Sequence, residues 1–309
     1  MFDDIPEVLN RSVLNAPKEF RAPHILFYLA AASVLMFYLQ TDFSDSDDAL
    51  LKFDGLPDEG SWEYDARIAQ IADALLSLRH EPGFPDICRR LNSRKLRSAF
   101  FEAMAAKIFQ SHGFTIHVQN ETGVLGRDFD FSISAPDVLA NVEVTAPISA
   151  HFDPNSLRNS LGKKRRQLPA DAPAIIVCCV PGAWRQQAED LSGELRKVVD
   201  RFLRGTGRIN YVFLVEDIFL PLKNGGGAVL IGSQQFKNGQ PRHSSAELDK
   251  ILDTVLDVDS QTRTMLSDPN PSEGGVGPLH EWINWLLRRE SVSPREGQFY
   301  PARLSRRWD

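Results

Sequence analysis

The spacing of apolar and polar positions changes several times along the chain, and each change marks an element. Ile25 to Leu39 (ILFYLAAASVLMFYL) runs 15 residues without a charge. A bilayer span needs roughly 20, so this stretch reads as a helix buried on most faces. An acidic loop follows from Asp42 to Asp48. Ile68, Ile71, Ala72, Leu75 and Leu76 then recur at helical spacing and predict a second helix over Trp62–Arg79. Pro82-Gly83-Phe84-Pro85 ends it and marks a candidate boundary. The next helix is expected to begin at Asn92 or Ser93, both good N-caps, and to continue through LRSAFFEAMAAKIFQ. That stretch is apolar on nearly every face, and Glu102 is the only acid between Arg94 and Gln110. Gly113 suits the residue that follows a helix C-terminus.

From Phe114 the period shortens to two. Phe114 to Val118 alternates as a half-buried strand does. After a turn at Glu121-Thr122-Gly123 and Gly126, Phe129, Phe131 and Ile133 are expected on one strand face, and Asp128, Asp130 and Ser132 on the other. In the following strand Val142 and Val144 face one way, and Asn141, Glu143 and Thr145 the other. Paired as a hairpin, these two strands would put their acids on one face. Asn155 to Gln167 reads as a helix, Ala174 to Val180 (AIIVCCV) as an interior strand, Arg185 to Leu203 as a helix and Ile209 to Val215 as a second buried strand. Beyond Leu222 the pattern gives a short strand at Ala228–Ile231 and an amphipathic helix at Ala246–Val258. It ends with a linker over 267–278, a Trp-rich helix at Leu279–Arg289, and a tail with Arg303, Arg306 and Arg307. No internal repeat is present. This order of elements predicts an α/β fold with a mixed sheet covered by helices on both faces. It divides the chain into a helical region over 1–90, a core over 91–222 and an α/β extension over 223–309.

Composition narrows the function classes. The 309 residues, 42% hydrophobic and 25% charged, suit one large or two modest globular domains. The net charge of −6 excludes general attraction to nucleic acid, so any such surface must be a local basic patch. Cys88, Cys178 and Cys179 form no CxxC pair, which argues against structural zinc. With the acidic start (Asp3, Asp4, Glu7), they predict a cytoplasmic protein without a membrane segment. Gly225-Gly226-Gly227 has no following Lys-Ser/Thr and is not a phosphate-binding loop. His112, His117 and His151 lack metal-ligand spacing.

The candidate chemistry lies between Leu96 and Leu168. Carboxylates on separate elements (Glu102, then Asp128 and Asp130, then Glu143) precede a basic helix with Lys163, Lys164, Arg165 and Arg166. Hydrolysis of a phosphodiester needs an activated water, charge stabilisation at phosphorus and help for the leaving oxygen. Mg²⁺ or Mn²⁺ held by two or three carboxylates supplies all three. Asp130 and Glu143 are the expected first ligands, with Asp128 as the alternative to Asp130. The Val144 carbonyl adds a further oxygen, and Glu102 joins directly or through water. Lys163, Lys164, Arg165 and Arg166, with Arg158 on the same helix, are the expected nucleic-acid contacts.

These residues resemble the PD-(D/E)xK superfamily of restriction-endonuclease-like nucleases. Its pattern is a helix with Glu, a strand with Asp, a strand with Glu-x-Lys, and a helix often carrying Lys or Gln. The similar residues here are Glu102 before His112-Gly113-Phe114, Gly126-Arg127-Asp128-Phe129-Asp130, Glu143-Val144-Thr145, and Lys164 with Gln167, within residues 93–180. The resemblance implies a restriction-endonuclease-like core. It also implies a metal-dependent nuclease, with DNA as the favoured substrate, a 5′-phosphate product and possible homo-oligomers. Thr145 departs from the pattern, because a hydroxyl orients a water but supplies no positive charge. Lys164, then Lys163, is expected to stand in, and Gln167 to orient water or phosphate. Two rivals remain: a nuclease-like fold kept for binding or assembly, and a plain scaffold whose acids are structural.

Overall fold

The computed structural model describes residues 23–41, 43, 62–93, 96–119, 123–124, 126–147, 149, 151–186, 190–221, 227–257 and 264–265. Most of the Asp42–Asp48 loop, the linker over 267–278, the Trp-rich helix and the arginine tail lie outside these residues. Four helices come first: α1 (Pro23–Leu39), α2 (Trp62–Leu78), α3 (Phe84–Leu91) and α4 (Leu96–Ser111). Six strands then lie side by side in chain order: β1 (Thr115–Val118), β2 (Phe131–Ala135), β3 (Val138–Thr145), β4 (Ala174–Val180), β5 (Tyr211–Pro221) and β6 (Gly227–Lys237). A two-residue strand, β7 (Thr264–Met265), pairs with the outer edge of β6. β1, β2 and β3 are antiparallel; β3, β4 and β5 are parallel; β6 runs antiparallel to β5. Helices α5 (Pro154–Gln167) and α6 (Leu191–Arg204) connect the parallel strands, and α7 (Ala246–Asp257) follows β6. The fold is α/β, a mixed sheet flanked by helices, as the pattern predicts.

The sheet separates two cores, and strand alternation decides which residue enters which. Val142, Val144, Ile175, Val177 and Phe213 pack with Leu35, Ile71, Phe100 and Phe109 on the side of α1, α2 and α4. Ile176, Cys178, Val212 and Leu214 pack with Leu157, Leu161, Val199 and Phe202 on the side of α5 and α6. Burial on both faces is why β4 is apolar at every position. Its vicinal cysteines fall into opposite cores, Cys178 with α5 and Cys179 with α4. Burial pushes the Cys178 thiol up to about 12, so it behaves as a small apolar side chain. Among the described residues no helix is long and apolar enough to cross a membrane. In α1, Ala30, Ala31, Val34, Leu35 and Leu39 are all buried.

Several boundaries differ from expectation for identifiable reasons. Pro82–Pro85 follows the end of α2, as expected, and also starts α3, with Pro85 in the first turn where its missing N–H costs nothing. Asp86 in that turn and Arg89 and Arg90 in the last one complement the helix dipole. Asn92 is the C-cap of α3, not the start of α4, and donates from Nδ2 to the Leu39 carbonyl at 3.1 Å. β2 begins at Phe131, so Asp128 and Phe129 precede it. Phe129 packs in the α5 core and Phe131 in the α4 core, so they do not share a face. The helix expected from Arg185 starts at Leu191, where Asp190 accepts from the Gly193 N–H. A 3₁₀ turn, Gly182–Gln186, precedes it. β6 spans 11 residues rather than four, held by continuous pairing with β5 despite its polar Ser-Gln-Gln stretch.

A buried ion pair joins two of the helices, Lys107 of α4 on Asp73 of α2, with both side chains at most 10% exposed. Removing one partner strands the other charge. Asp73→Ala is expected to cost about 3 kcal/mol, read from urea denaturation. The double change Asp73→Leu with Lys107→Met should recover most of that loss.

Candidate active site

The site forms where β2 leaves β3. Phe131 is the last residue of β2 paired here, opposite Val142, so Asp130 and Glu143 are the next residues out on their two chains. In an extended strand a residue's N–H and C=O point to the same neighbour. Those of Asp130 point to opposite ones. Its N–H donates to the Val142 carbonyl of β3 at 3.2 Å, and its carbonyl accepts from Gln119 N–H beyond β1 at 3.0 Å. The strand conformation therefore breaks at Asp130. Its carboxylate fills the gap, with Oδ2 accepting the Val144 N–H at 2.6 Å. A side chain completes the ladder where backbone would otherwise have done so. Among the described residues no strand pairs with this flank of β3 beyond it.

Glu143 enters this gap from the α5 side of the sheet. It is 1% exposed, on the central parallel part of the sheet. Lys164 of α5 reaches back and donates from Nζ to Glu143 Oε1 at 2.5 Å. The other oxygen, Oε2, is buried and has no hydrogen-bond partner among the described residues. α5 runs antiparallel to β3 here, so the neighbouring contact follows in register: Thr145 Oγ1 lies 3.0 Å from Ser160 Oγ. The Thr145 hydroxyl is thus engaged with a helix, while Lys164 brings a positive charge to Glu143.

Glu102 approaches from α4, on the opposite face. Its partner is Arg90 of α3, a residue that the sequence pattern did not single out. Arg90 Nη1 donates to Glu102 Oε2 at 2.6 Å and lies 3.8 Å from Asp130 Oδ1. Nη2 donates to the Gln119 carbonyl. Three contacts hold α3 where this is possible. Glu81 Oε2 accepts the Ile116 N–H of edge strand β1 at 2.7 Å. Gly83 lets the chain approach so closely that a Cβ there would sit 2.8 Å from the Val118 nitrogen. Phe84, Ile87 and Leu91 bury the inner face. A signal for Arg90 existed: Pro and Asp in a first turn, apolar residues at i, i+3 and i+7, and paired arginines in a last turn. Eight residues were too few for the periodicity to stand out.

Three carboxylates and two cations share this small volume. If all were ionised, Glu102, Asp130 and Glu143 would leave one negative charge uncompensated by Arg90 and Lys164. Proton affinities reflect the deficit. Burial first, then the Asp130 carboxylate, pushes Glu143 from 4.5 up to about 8, although Lys164 opposes this. Burial and Asp130 likewise push Glu102 up to about 7, against the pull of Arg90. Lys164 also holds its proton more tightly than usual. Burial disfavours its charge, but Glu143, Asp130 and Glu102 together outweigh that. Both partners of the Lys164–Glu143 pair therefore retain protons, because three acids compete for one ammonium.

The other sequence candidates are placed less centrally. Asp128 lies before β2, and its carbonyl accepts a long bond, 3.4 Å, from Gln167 Nε2. Gln167 is thus directed at the chain leading to Asp130. Lys163, Arg158 and Arg166 are exposed on α5, and Arg165 is half-buried on it. His117 pairs with Ser134, and His112 with the Ile108 carbonyl. His151 lies exposed in the loop before α5. Among the described residues, no three His, Cys, Asp or Glu side chains are gathered as ligands around a point.

The raised carboxyl affinities fix the sign of a stability effect. A carboxyl at 4.5 in the unfolded chain and about 8 when folded makes folding take up a proton between those values. Stability therefore falls as pH rises through that window. Glu143→Gln removes this dependence. Relative to the wild type, the variant should gain at least about 1 kcal/mol, the equivalent of one pKa unit, between about pH 5 and about pH 8.5. Urea midpoints at the two pH values check it; a constant difference would refute the buried-proton account. In comparison with known proteins, no family model and no curated protein sequence matches the chain.

Proposed function

We propose that the protein is a metal-dependent nuclease with a restriction-endonuclease-like core, acting on phosphodiester bonds of nucleic acid, DNA in the first instance. The observation that carries this reading is the buried, unpartnered Oε2 of Glu143 beside Asp130 and Lys164. A buried carboxylate oxygen without a donor costs roughly 1–3 kcal/mol or more, and a bound cation would offset that cost.

The donor set fits Mg²⁺ or Mn²⁺. Every candidate ligand is an oxygen, the preference of hard cations. Once its carboxyls give up their protons, the site carries one net negative charge, which favours a cation over an anion. Glu143 and Asp130 would hold the ion, with the Val144 carbonyl, which points to the same side of β3 as the N–H on Asp130. Glu102 would complete the shell, directly or through water. Bound there, the metal supplies Lewis-acid stabilisation of the phosphoryl oxygens and a water of lowered pKa. Lys164, which donates to Glu143 Oε1, would supply the positive charge that Thr145 cannot and orient a water or a phosphate oxygen. Arg90 keeps Glu102 and Asp130 together while they carry like charge. Gln167 braces the segment before Asp130.

A second reading has its own supporting observation. The Thr145 hydroxyl is engaged with Ser160 rather than left to meet a water. On that reading the fold serves nucleic-acid binding or assembly without cleavage.

Purified full-length protein incubated with single-stranded and duplex DNA and RNA in Mg²⁺ or Mn²⁺ separates the two. Cleavage is expected, abolished by Glu143→Ala and slowed about a hundredfold or more by Lys164→Met, the range for a positioned proton-transfer or orienting group. Cleavage undiminished in Glu143→Ala would sink the site assignment; binding that persists in EDTA with no cleavage under any metal favours the second reading. Metal affinity should also rise with pH, because Glu143 and Glu102 must lose protons to bind it. Calorimetry of Mn²⁺ binding in buffers of different ionisation enthalpy should then show protons released.

A further inference from the structure

Three arginines from separate segments meet beyond the C-terminus of α5. Arg165 lies in the last turn of α5, Arg208 in the loop before β5, and Arg242 in the loop after β6. Backbone and amide bonds lock these two loops together. Arg242 N–H donates to the Gly207 carbonyl at 2.6 Å, and Asn238 N–H to the Asn210 carbonyl at 2.8 Å. Asn238 Nδ2 also bonds the carbonyls of Thr206 and Ile209, each at 2.7 Å. The helix end is tied to the same unit, because Arg208 Nη2 donates to the carbonyl of Leu168, the C-cap of α5. The His243 ring contacts the Ala170 carbonyl at 2.8 Å.

This surface adjoins the acid site. Gln167, next to Leu168, bonds the carbonyl of Asp128, two residues before Asp130. A Cβ on Gly126 would lie 3.8 Å from the Leu168 carbonyl, so the chain leading into Asp130 runs against the same helix end. Exposed Arg127 lies on that chain, and exposed Lys163 and Arg166 flank Arg165 on α5.

Helix capping accounts for only part of this. One cation near the last carbonyls of α5 is an ordinary stabilising device. Arg208 alone provides it. Arg165 and Arg242 then add like charge around it, and among the described residues none of the three forms an ion pair. Burial first, then Arg165 and Arg242, lower the proton affinity of Arg208. Its Nε is buried without a hydrogen-bond partner. Packing three guanidinium groups without an acid is unfavourable unless an anion joins them. On a chain of net charge −6, the concentration is local.

We propose that Arg165, Arg208 and Arg242 form a phosphate-backbone contact that holds one strand of nucleic acid against the α5 flank of the acid site. Arginines spread over three segments, with Lys163, Arg166 and Arg127 alongside, suit a chain of phosphates rather than a single one. The choice of nucleic acid as the polyanion rests on the nuclease reading; the contact itself rests on the arginine geometry.

The test measures binding of a fluorescent oligonucleotide, duplex and single-stranded, to the full-length protein in EDTA, so that no cleavage intervenes. Arg165→Gln with Arg242→Gln leaves the capping Arg208 in place. This double variant should bind about tenfold more weakly or worse, and lose about two units of the log-affinity against log-salt slope, one for each phosphate contact removed. Its urea midpoint should be unchanged or higher, since like-charge repulsion is relieved. Lys197→Gln, on the exposed face of α6, removes a charge elsewhere and should change neither affinity nor slope. The proposal is overturned if the double variant binds as the wild type does, if Lys197→Gln loses as much, if wild-type binding is abolished equally by inorganic phosphate at matched ionic strength, or if the wild type binds no nucleic acid at low salt. Binding lost in the double variant, with no cleavage under any metal, would remove the nuclease reading and leave this contact standing. Cleavage alongside unchanged binding in the double variant would do the reverse.

Discussion

A charge count governs the centre of this protein. Three carboxylates, Glu102, Asp130 and Glu143, converge with two cations, Arg90 and Lys164, in a space that is largely closed to water. Such a set cannot be neutral when fully ionised. Burial makes the missing charge expensive, and the carboxyls answer by holding protons towards neutral pH. The nearby elements serve this cluster. α3 is pressed against β1 through Gly83 so that Arg90 reaches two acids. α5 lies along β3 so that Lys164 meets Glu143 and Ser160 meets Thr145.

The sheet architecture explains how acids from both faces can meet. An uninterrupted β2–β3 ladder would screen Glu102 on the α4 side from Glu143 on the α5 side. β2 departs at Asp130, and the departure opens a window through the plane of the sheet. The parallel strands β4 and β5 close the opposite flank with continuous apolar side chains. The site thus lies at the boundary between the antiparallel and parallel parts of the sheet, backed by a rigid, doubly covered core.

Much of this was legible in the chain, for reasons that differ by element. β4 announced itself because burial on both faces removes polar residues altogether, and Glu143 stood out because an acid among valines needs a partner. The alternation of β3 assigned its faces correctly, and of the two lysines offered on the next helix it is Lys164 that meets Glu143. The alternation failed one strand earlier. Phe129 and Phe131 looked like a pair on one face, but a strand break between them, invisible to any periodic pattern, sends them to opposite cores. Arg90 escaped because a two-turn helix offers too few positions for a period to show. Arg208 and Arg242 escaped because loop–loop proximity depends on where strands β5 and β6 end, which no local pattern records.

The Asp130 carboxylate ends the β2–β3 ladder in place of a peptide group, and so one side chain serves both the strand and the acid cluster. Whatever replaced it would still need to offer an acceptor for the Val144 amide. Asparagine offers one without the charge. An otherwise similar chain with asparagine here, and with Glu143 also lost, would keep the clasp and discard the charge.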